Sequence, residues 1–214
     1  MNTRRWLALL IGLACNLSST MVSANPPLPS SPSIGGHKHQ VAPVEQPAIN
    51  REEANRRYFT DRLLVNQEGQ AMRFYSDLLK GKVVLIQFLY TQCQEACPLT
   101  TKQLADTQKL LDGRLGKDIV FLSLTVDPET DTPQRLKEYS QRFKADKGWW
   151  FLTGNKQDVD GVAHKLGQTA PVAEGHLPIF ILGNVRTGHW MKMMPSSMPP
   201  QIAEQLLKLA DEKG

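Results

Sequence analysis

"GKVVLIQFLYTQCQEACPLTT", residues 81–101, runs from an apolar block into two cysteines and a proline. The block "VVLIQFLY" (83–90) is nearly unbroken, which is the pattern of a central strand covered on both faces. Proline lacks an amide hydrogen and is welcome only in the first turn of a helix. The spacing therefore predicts a helix from Pro98 to about Asp112, ended by Gly113, with Cys97 as its cap and Cys93 in the loop before it. "IVFLSLTV" (119–126) reads as a second buried strand. Strand, helix and strand within about 40 residues make a βαβ unit, whose crossover is almost always right-handed.

On the N-terminal side, "LLVNQEGQAMRFY" reads as a short hairpin around Glu68-Gly69, and "SDLLKG" as one helical turn begun by Ser76 or Asp77 and stopped by Gly81. On the C-terminal side, "DTPQRLKEYSQRF" predicts a helix with Thr132 as cap and Pro133 at its first position. "NKQDVDGVAHKLG" predicts another, from Asn155 to Gly167. "IFILGNVRTGHWMKM" is a hairpin, and "PPQIAEQLLKLADEK" a last helix with Ile202, Leu206 and Leu209 on one face. The expected fold is α/β and thioredoxin-like: a central mixed sheet flanked by helices, with an N-terminal hairpin extension. Open sheets of this kind bind ligands at the C-terminal ends of their strands, where the cysteines fall.

The chain has 214 residues and a formal charge of +4. Without Arg4 and Arg5 it carries 23 basic and 21 acidic residues, which is no footprint for nucleic acid or an anionic membrane. Residues 1–24 read as an export signal: two arginines, the apolar "WLALLIGLAC", then the small-residue exit Val22-Ser23-Ala24. The apolar part is far short of the roughly 20 residues that span a bilayer, so cleavage after Ala24 and release into the periplasm are expected. Cys15 in "GLAC" departs with that leader, since Gly12 does not suit a lipoprotein signal. Residues 25–57 form an expected Pro-rich tether, with six prolines by residue 50 and "HKH" within it, whose His37 and His39 could catch a metal but are better read as solvated linker residues. The folded domain is expected over 58–214.

Cys93 and Cys97 are thus the only cysteines of the exported chain. A bridge closing so short a loop removes little unfolded-state entropy, so chemistry explains the pair better than stapling does. Both sulfurs are expected near the positive end of a helix, where a thiolate is stabilised and its pKa falls. That environment suits disulfide exchange and soft-metal binding alike. A peroxidase fits less well: such sites generally carry Thr three residues before the attacking Cys and a nearby Arg, whereas Thr91 is two residues before Cys93 and the loop has no Arg.

Among the five histidines only His176, in "VAEGHLPIFILG", begins a predicted buried strand, one expected to neighbour the strand that feeds the cysteine loop. Two thiolates and an imidazole make a site suited to Cu(I) and Cu(II); the alternative is a histidine that does no more than start a strand there. His164 reads as a half-buried structural side chain. His189, Met191 and Met193 share one strand face, an arrangement that could hold Cu(I) through thioether sulfur but where methionine ordinarily serves as packing, and Met194 and Met198 add only a little to the copper side. "VDPETDTP" holds Asp127, Glu129 and Asp131, too few oxygen ligands for a hard cation and better read as a capping loop.

Taken together, "GKVVLIQFLYTQCQEACP", "FLSLTVDPETDTPQRLKEYSQRF", "WWFLTG" and "GHLPIFILG" resemble, in order, the Sco/SenC family over roughly residues 62–210. That resemblance implies a thioredoxin-like protein that handles copper during assembly of cytochrome c oxidase. It implies copper ligands at Cys93, Cys97 and His176, and partners in the Cu(A)-bearing oxidase subunit and in relay chaperones or thiol reductases. It leaves open a thiol-disulfide oxidoreductase working through Cys93 and Cys97. The chain departs from the family pattern at Gln94 and Glu95, where Pro and Asp are frequent, and at Gly175, which replaces an Asp with Glu174 one place earlier. Pro178, two residues after His176, stands close to where thioredoxins carry a cis-proline.

Overall fold

A computed structural model of the chain describes residues 50–168 and 178–213. The leader, most of the tether with His37 and His39, His176 and the Leu177-Pro178 bond all lie outside the described residues. The elements in chain order are α1 (Arg51–Phe59), β1 (Leu63–Asn66), β2 (Ala71–Arg73), a π-helical turn (Phe74–Leu79), β3 (Val83–Leu89), α2 (Ala96–Thr107), a 3-10 turn (Gln108–Leu110), β4 (Ile119–Thr125), α3 (Pro133–Arg142), β5 (Trp149–Thr153), α4 (Lys156–Lys165), β6 (Phe180–Asn184), β7 (His189–Met193) and α5 (Pro199–Asp211).

The strands form one mixed sheet in the order β2-β1-β5-β4-β3-β6-β7. The centre, β5-β4-β3, is parallel, and β1, β2, β6 and β7 each pair antiparallel with their neighbours. All seven residues of β3 and of β4 are buried, as their apolar composition requires. Because side chains alternate along a strand, Val83, Leu85 and Leu89 join one core layer with residues of α2, α3 and α5, such as Leu104, Leu136 and Leu206. Val84, Ile86 and Phe88 join the other, with Phe59 of α1, Leu78 and Leu79 of the π-helical turn, and Val159 and Val162 of α4.

The caps follow local chemistry. The Thr132 side chain accepts from Arg135 N with Pro133 in the first turn of α3, and Asn155 Oδ1 accepts from Asp158 N (2.9 Å) at the start of α4. The hairpin β6-β7 is held close by one small residue. Gly183 lies opposite Trp190, and any Cβ there would sit about 2.1 Å from the indole ring.

Several boundaries differ from the sequence expectation. A helix, α1, occupies residues assigned to the tether. It carries almost no apolar periodicity, being fixed by its Asn50 cap and by one buried plug, Phe59. Residues 76–81 are not a plain helical turn; the turn begins at Phe74, and Asp61 receives Ser76 N and Ser76 Oγ (both 2.7 Å). Helix α2 starts at Ala96, two residues before Pro98, and ends at Thr107 before a 3-10 turn. The strand β5, "WWFLT", is too short for its periodicity to stand out.

Helix α5 clamps the sheet through Ile202, Leu206 and Leu209, all essentially buried. Truncating Leu206 to Ala removes packing against that layer and is expected to cost about 2–5 kcal/mol. The same change at the exposed Leu110 should stay within about 0.5 kcal/mol. Urea-denaturation midpoints of the two variants check the difference.

Candidate metal and thiol centre

Parallel strands end at the same edge of the sheet, so the loops after β3 and β4 emerge together. The register pairs Leu89 with Thr125, and Val126 N donates to Leu89 O (2.9 Å). The first loop carries the cysteines and the second is Val126–Thr132. Strand β6 runs antiparallel to β3, pairing Ile181 with Ile86. Its leading residues therefore arrive at the same edge, as the sequence expectation required.

Both cysteines are free thiols, Cys93 partly exposed and Cys97 only 1% exposed. Cys97 is not the cap of α2 but lies in its first turn. Its N–H, one of the unpaired donors at a helix start, donates to Cys93 Sγ (3.2 Å), so the Cys93 sulfur acts as the cap. Pro98 also falls in this first turn, where its missing N–H costs nothing. Cys93 is held in turn by its own N–H, which donates to Tyr90 O (3.2 Å).

The two sulfurs are electrostatically unequal. Burial, followed by the hydrogen bond with Cys93, pushes the Cys97 thiol up to about 12. The expectation that the helix start lowers both thiols fails for Cys97, because desolvation of a thiolate outweighs the helix dipole there. The same dry surroundings push the Tyr139 hydroxyl up to about 12, burial again leading. The pair thus offers one accessible sulfur and one that stays protonated until a cation or a bond replaces its proton.

An open depression of about 540 Å³ exposes Cys93 and is lined also by Tyr90, Gln92, Gln94, Glu95, Ala96 and Pro178. Pro178 is the first described residue after His176. Among the described residues no set of three or more His, Cys, Asp and Glu side chains gathers as a metal cage. The remaining sequence candidates do not converge on the depression. His164 is exposed rather than half-buried, because the apolar face of α4 is filled by Val159, Val162 and Ala163. His189 Nδ1 pairs with Glu212 Oε1 (2.6 Å) and holds that carboxyl below its usual range. Met191 and Met193 pack against the first core layer.

The residue that sequence reading undervalued is Asp131. Its carboxylate is fully buried and accepts from Thr91 N (3.1 Å), from Thr91 Oγ1 and from Thr125 Oγ1. Thr91 is two residues from Cys93, and Thr125 closes β4. Asp131 is therefore a clasp between the two loops and has no lone pairs to spare for a hard cation, in line with the capping-loop expectation. Its own N–H donates to Asp127 O (2.9 Å), which closes the second loop on itself. The only hint in the sequence was an acidic residue directly before the Thr132-Pro133 cap.

Asp131→Ala strands Thr91 N–H and two hydroxyls, and is expected to lower the unfolding free energy by about 1–3 kcal/mol. Asp131→Asn should lose less, since its amide oxygen can still accept while the hydroxyls reverse. Hydrogen exchange at the Thr91 amide, read beside urea midpoints, should accelerate in the order wild type, Asn, Ala. Equal protection in all three would show that the clasp does not hold the loop.

Comparison with known proteins places this arrangement. The SCO1/SenC family model matches residues 51–180. The SCO2-like protein of Rickettsia felis is 36% identical over 117 residues, which is 55% of this chain and 55% of that protein. The chain spans about half the length of the curated relatives it matches first. BsSco, solved in work identifying its disulfide switch and described as a member of the Sco family of cytochrome c oxidase assembly proteins, superposes with a TM-score of 0.60 at 28% identity. That match covers 71% of this chain and 92% of BsSco. ScoI of Bradyrhizobium japonicum, solved with copper bound, gives a TM-score of 0.58 at 26% identity over 69% of this chain and 96% of that one. With the family model matched across more than half of its length, and with a thioredoxin-like sheet that ends in a C-x-x-x-C-P loop, the chain belongs to the SCO1/SenC family.

Proposed function

We propose that this protein carries copper on Cys93, Cys97 and His176 and delivers it during assembly of the Cu(A) site of cytochrome c oxidase, directly or through relay chaperones. The observation that carries the reading is the shared edge: a partly exposed sulfur in the loop and a buried one in the first turn of α2, with Pro178 lining the same depression as Cys93. Two residues of chain reach at most about 7 Å, so His176 is tethered to that rim. The copper-bound ScoI relative and the oxidase-assembly description of BsSco support the cargo and its destination. Thiolate and imidazole together suit copper in either valence.

In this reading Cys93 meets the incoming metal first. The charge of the metal then replaces the Cys97 proton, which burial otherwise retains, and the imidazole completes the set. Handing on the cargo has no turnover of its own. The same reading places residues 1–24 as an export leader and 25–50 as a tether, and the folded domain in the periplasm. No helix among the described residues is long and apolar enough to cross a membrane.

The inequality of the two thiols favours a second reading, in which the protein reduces cysteines of an oxidase subunit or partner chaperone. Exposed Cys93 attacks a partner disulfide, and buried Cys97 resolves the mixed disulfide as its proton leaves. The disulfide switch described for BsSco supports this possibility.

Copper titration of the reduced protein with absorption and EPR spectra separates the two. One equivalent should bind at the cysteine pair, Cys93→Ser should abolish that uptake, and His176→Ala should weaken it by at least about tenfold. Absence of stoichiometric copper, or binding indifferent to His176→Ala, ends the carrier reading. The reductase reading expects Cys97→Ser to trap a mixed disulfide with a partner while His176→Ala keeps activity in cells. Loss of function in His176→Ala as complete as in a cysteine variant ends that one.

A further inference from the structure

We propose that Met194 and Met198 form a thioether site for Cu(I) beside the groove that leads to Cys93, a loading station for the cysteine pair. The inference rests on the copper-carrier reading and adds a second site to it.

The two side chains are 64% and 61% exposed, and neither belongs to a core layer, unlike their neighbours Met191 and Met193. Packing therefore does not account for them. Met198 also breaks a local rule. It is the N-cap of α5, a position that favours short oxygen-bearing side chains, and its own N–H is met by Gln201 Oε1 (2.9 Å). Departures from local preference with no packing gain are where function is expected.

Their placement suits one ion. Met194 and Met198 bracket a reverse turn closed by Ser197 N to Met194 O (3.0 Å). Such a turn brings its first and fourth Cα within about 7 Å, and Met198 follows at once, so two long flexible arms can close on a single metal. Soft thioethers select Cu(I).

The turn also stands at the correct end of the molecule. Met193 is the register partner of Phe180, at the edge where the cysteine loop emerges. Pro195 and Ser196 form one wall of an apolar groove, and Ala96, Pro98 and Leu99 of the helix that bears Cys97 form another. Ala96 and Pro178 line both this groove and the Cys93 depression. In the transfer, copper–thioether bonds break and copper–sulfur bonds to Cys93 and Cys97 form. Copper remains Cu(I), and the thiol protons pass to water.

The test uses the full chain with every cysteine changed to serine and with His37→Ala and His39→Ala, methyl-labelled at methionine and titrated with Cu(I) against a chromophoric chelator. One equivalent should bind, with shifts at the methyl signals of Met194 and Met198 and none at the partly buried Met72. Met194→Leu/Met198→Leu keeps the apolar surface and should abolish that uptake. In the chain with intact cysteines and histidines, the same leucine pair should slow Cu(I) loading of the cysteine pair and lower the total bound by one equivalent. No uptake by the cysteine-free chain, uptake indifferent to leucine, or an unchanged loading rate would overturn the proposal and leave the patch an apolar docking surface. The intact chain reports the carrier site separately. Should its cysteines hold no copper while the thioether pair still binds, the carrier reading falls and the methionine site stands by itself.

Discussion

A single buried carboxylate fixes where the cysteine loop sits. Asp131 draws the loop after β3 onto the end of β4, and the cysteines inherit their position from Thr91. A charge removed from water is tolerable only when its lone pairs are fully engaged, and three donors from two loops meet that condition. The parallel register of β3 and β4 supplies the other half of the constraint, since it brings both loops to one edge. Tilt of the cysteine loop is thereby coupled to the sheet itself and to the first turn of α3, which begins directly after Asp131.

From that anchored loop an asymmetry of the two sulfurs follows. Cys97 enters the helix, turns into the core between α2 and α5, and becomes a reluctant acid. Cys93 stays partly exposed, its sulfur accepting from the Cys97 amide. A carrier of soft metal needs one ligand that can be met from solution and others that hold, and a thiol reductase needs one sulfur that attacks and one that resolves. The same burial gradient serves both chemistries, which is why a family of this fold can be described through bound copper in one member and a disulfide switch in another.

Much of this was legible in the residues. Strands β3 and β4 show as unbroken apolar runs, the start of α3 as Thr132-Pro133, and α5 as a three-residue apolar stripe, because burial and capping leave strong local signatures. The adjacency of β6 to β3, the strand that feeds the cysteine loop, was also readable, from element order alone. Helix α1 was hidden, because its stability comes from one cap and one plug. Strand β5 was hidden by its brevity. The start of α2 was misplaced because proline tolerates the whole first turn, not its first position alone. Asp131 escaped because its partners lie 6 and 40 residues away in sequence, and no periodicity reports a contact of that kind.

The sulfur that closes the start of α2 ties the helix to the state of the site. A lone pair on Cys93 Sγ serves the Cys97 amide only while it is not given to something else. Once that lone pair binds a metal, or the sulfur is drawn into a covalent bond, the amide loses part of its acceptor and the first turn must adjust. The backbone thus registers occupancy directly beside Pro98 and Leu99, residues that line the neighbouring groove. A docking protein could feel whether the sulfur is engaged without touching what engages it.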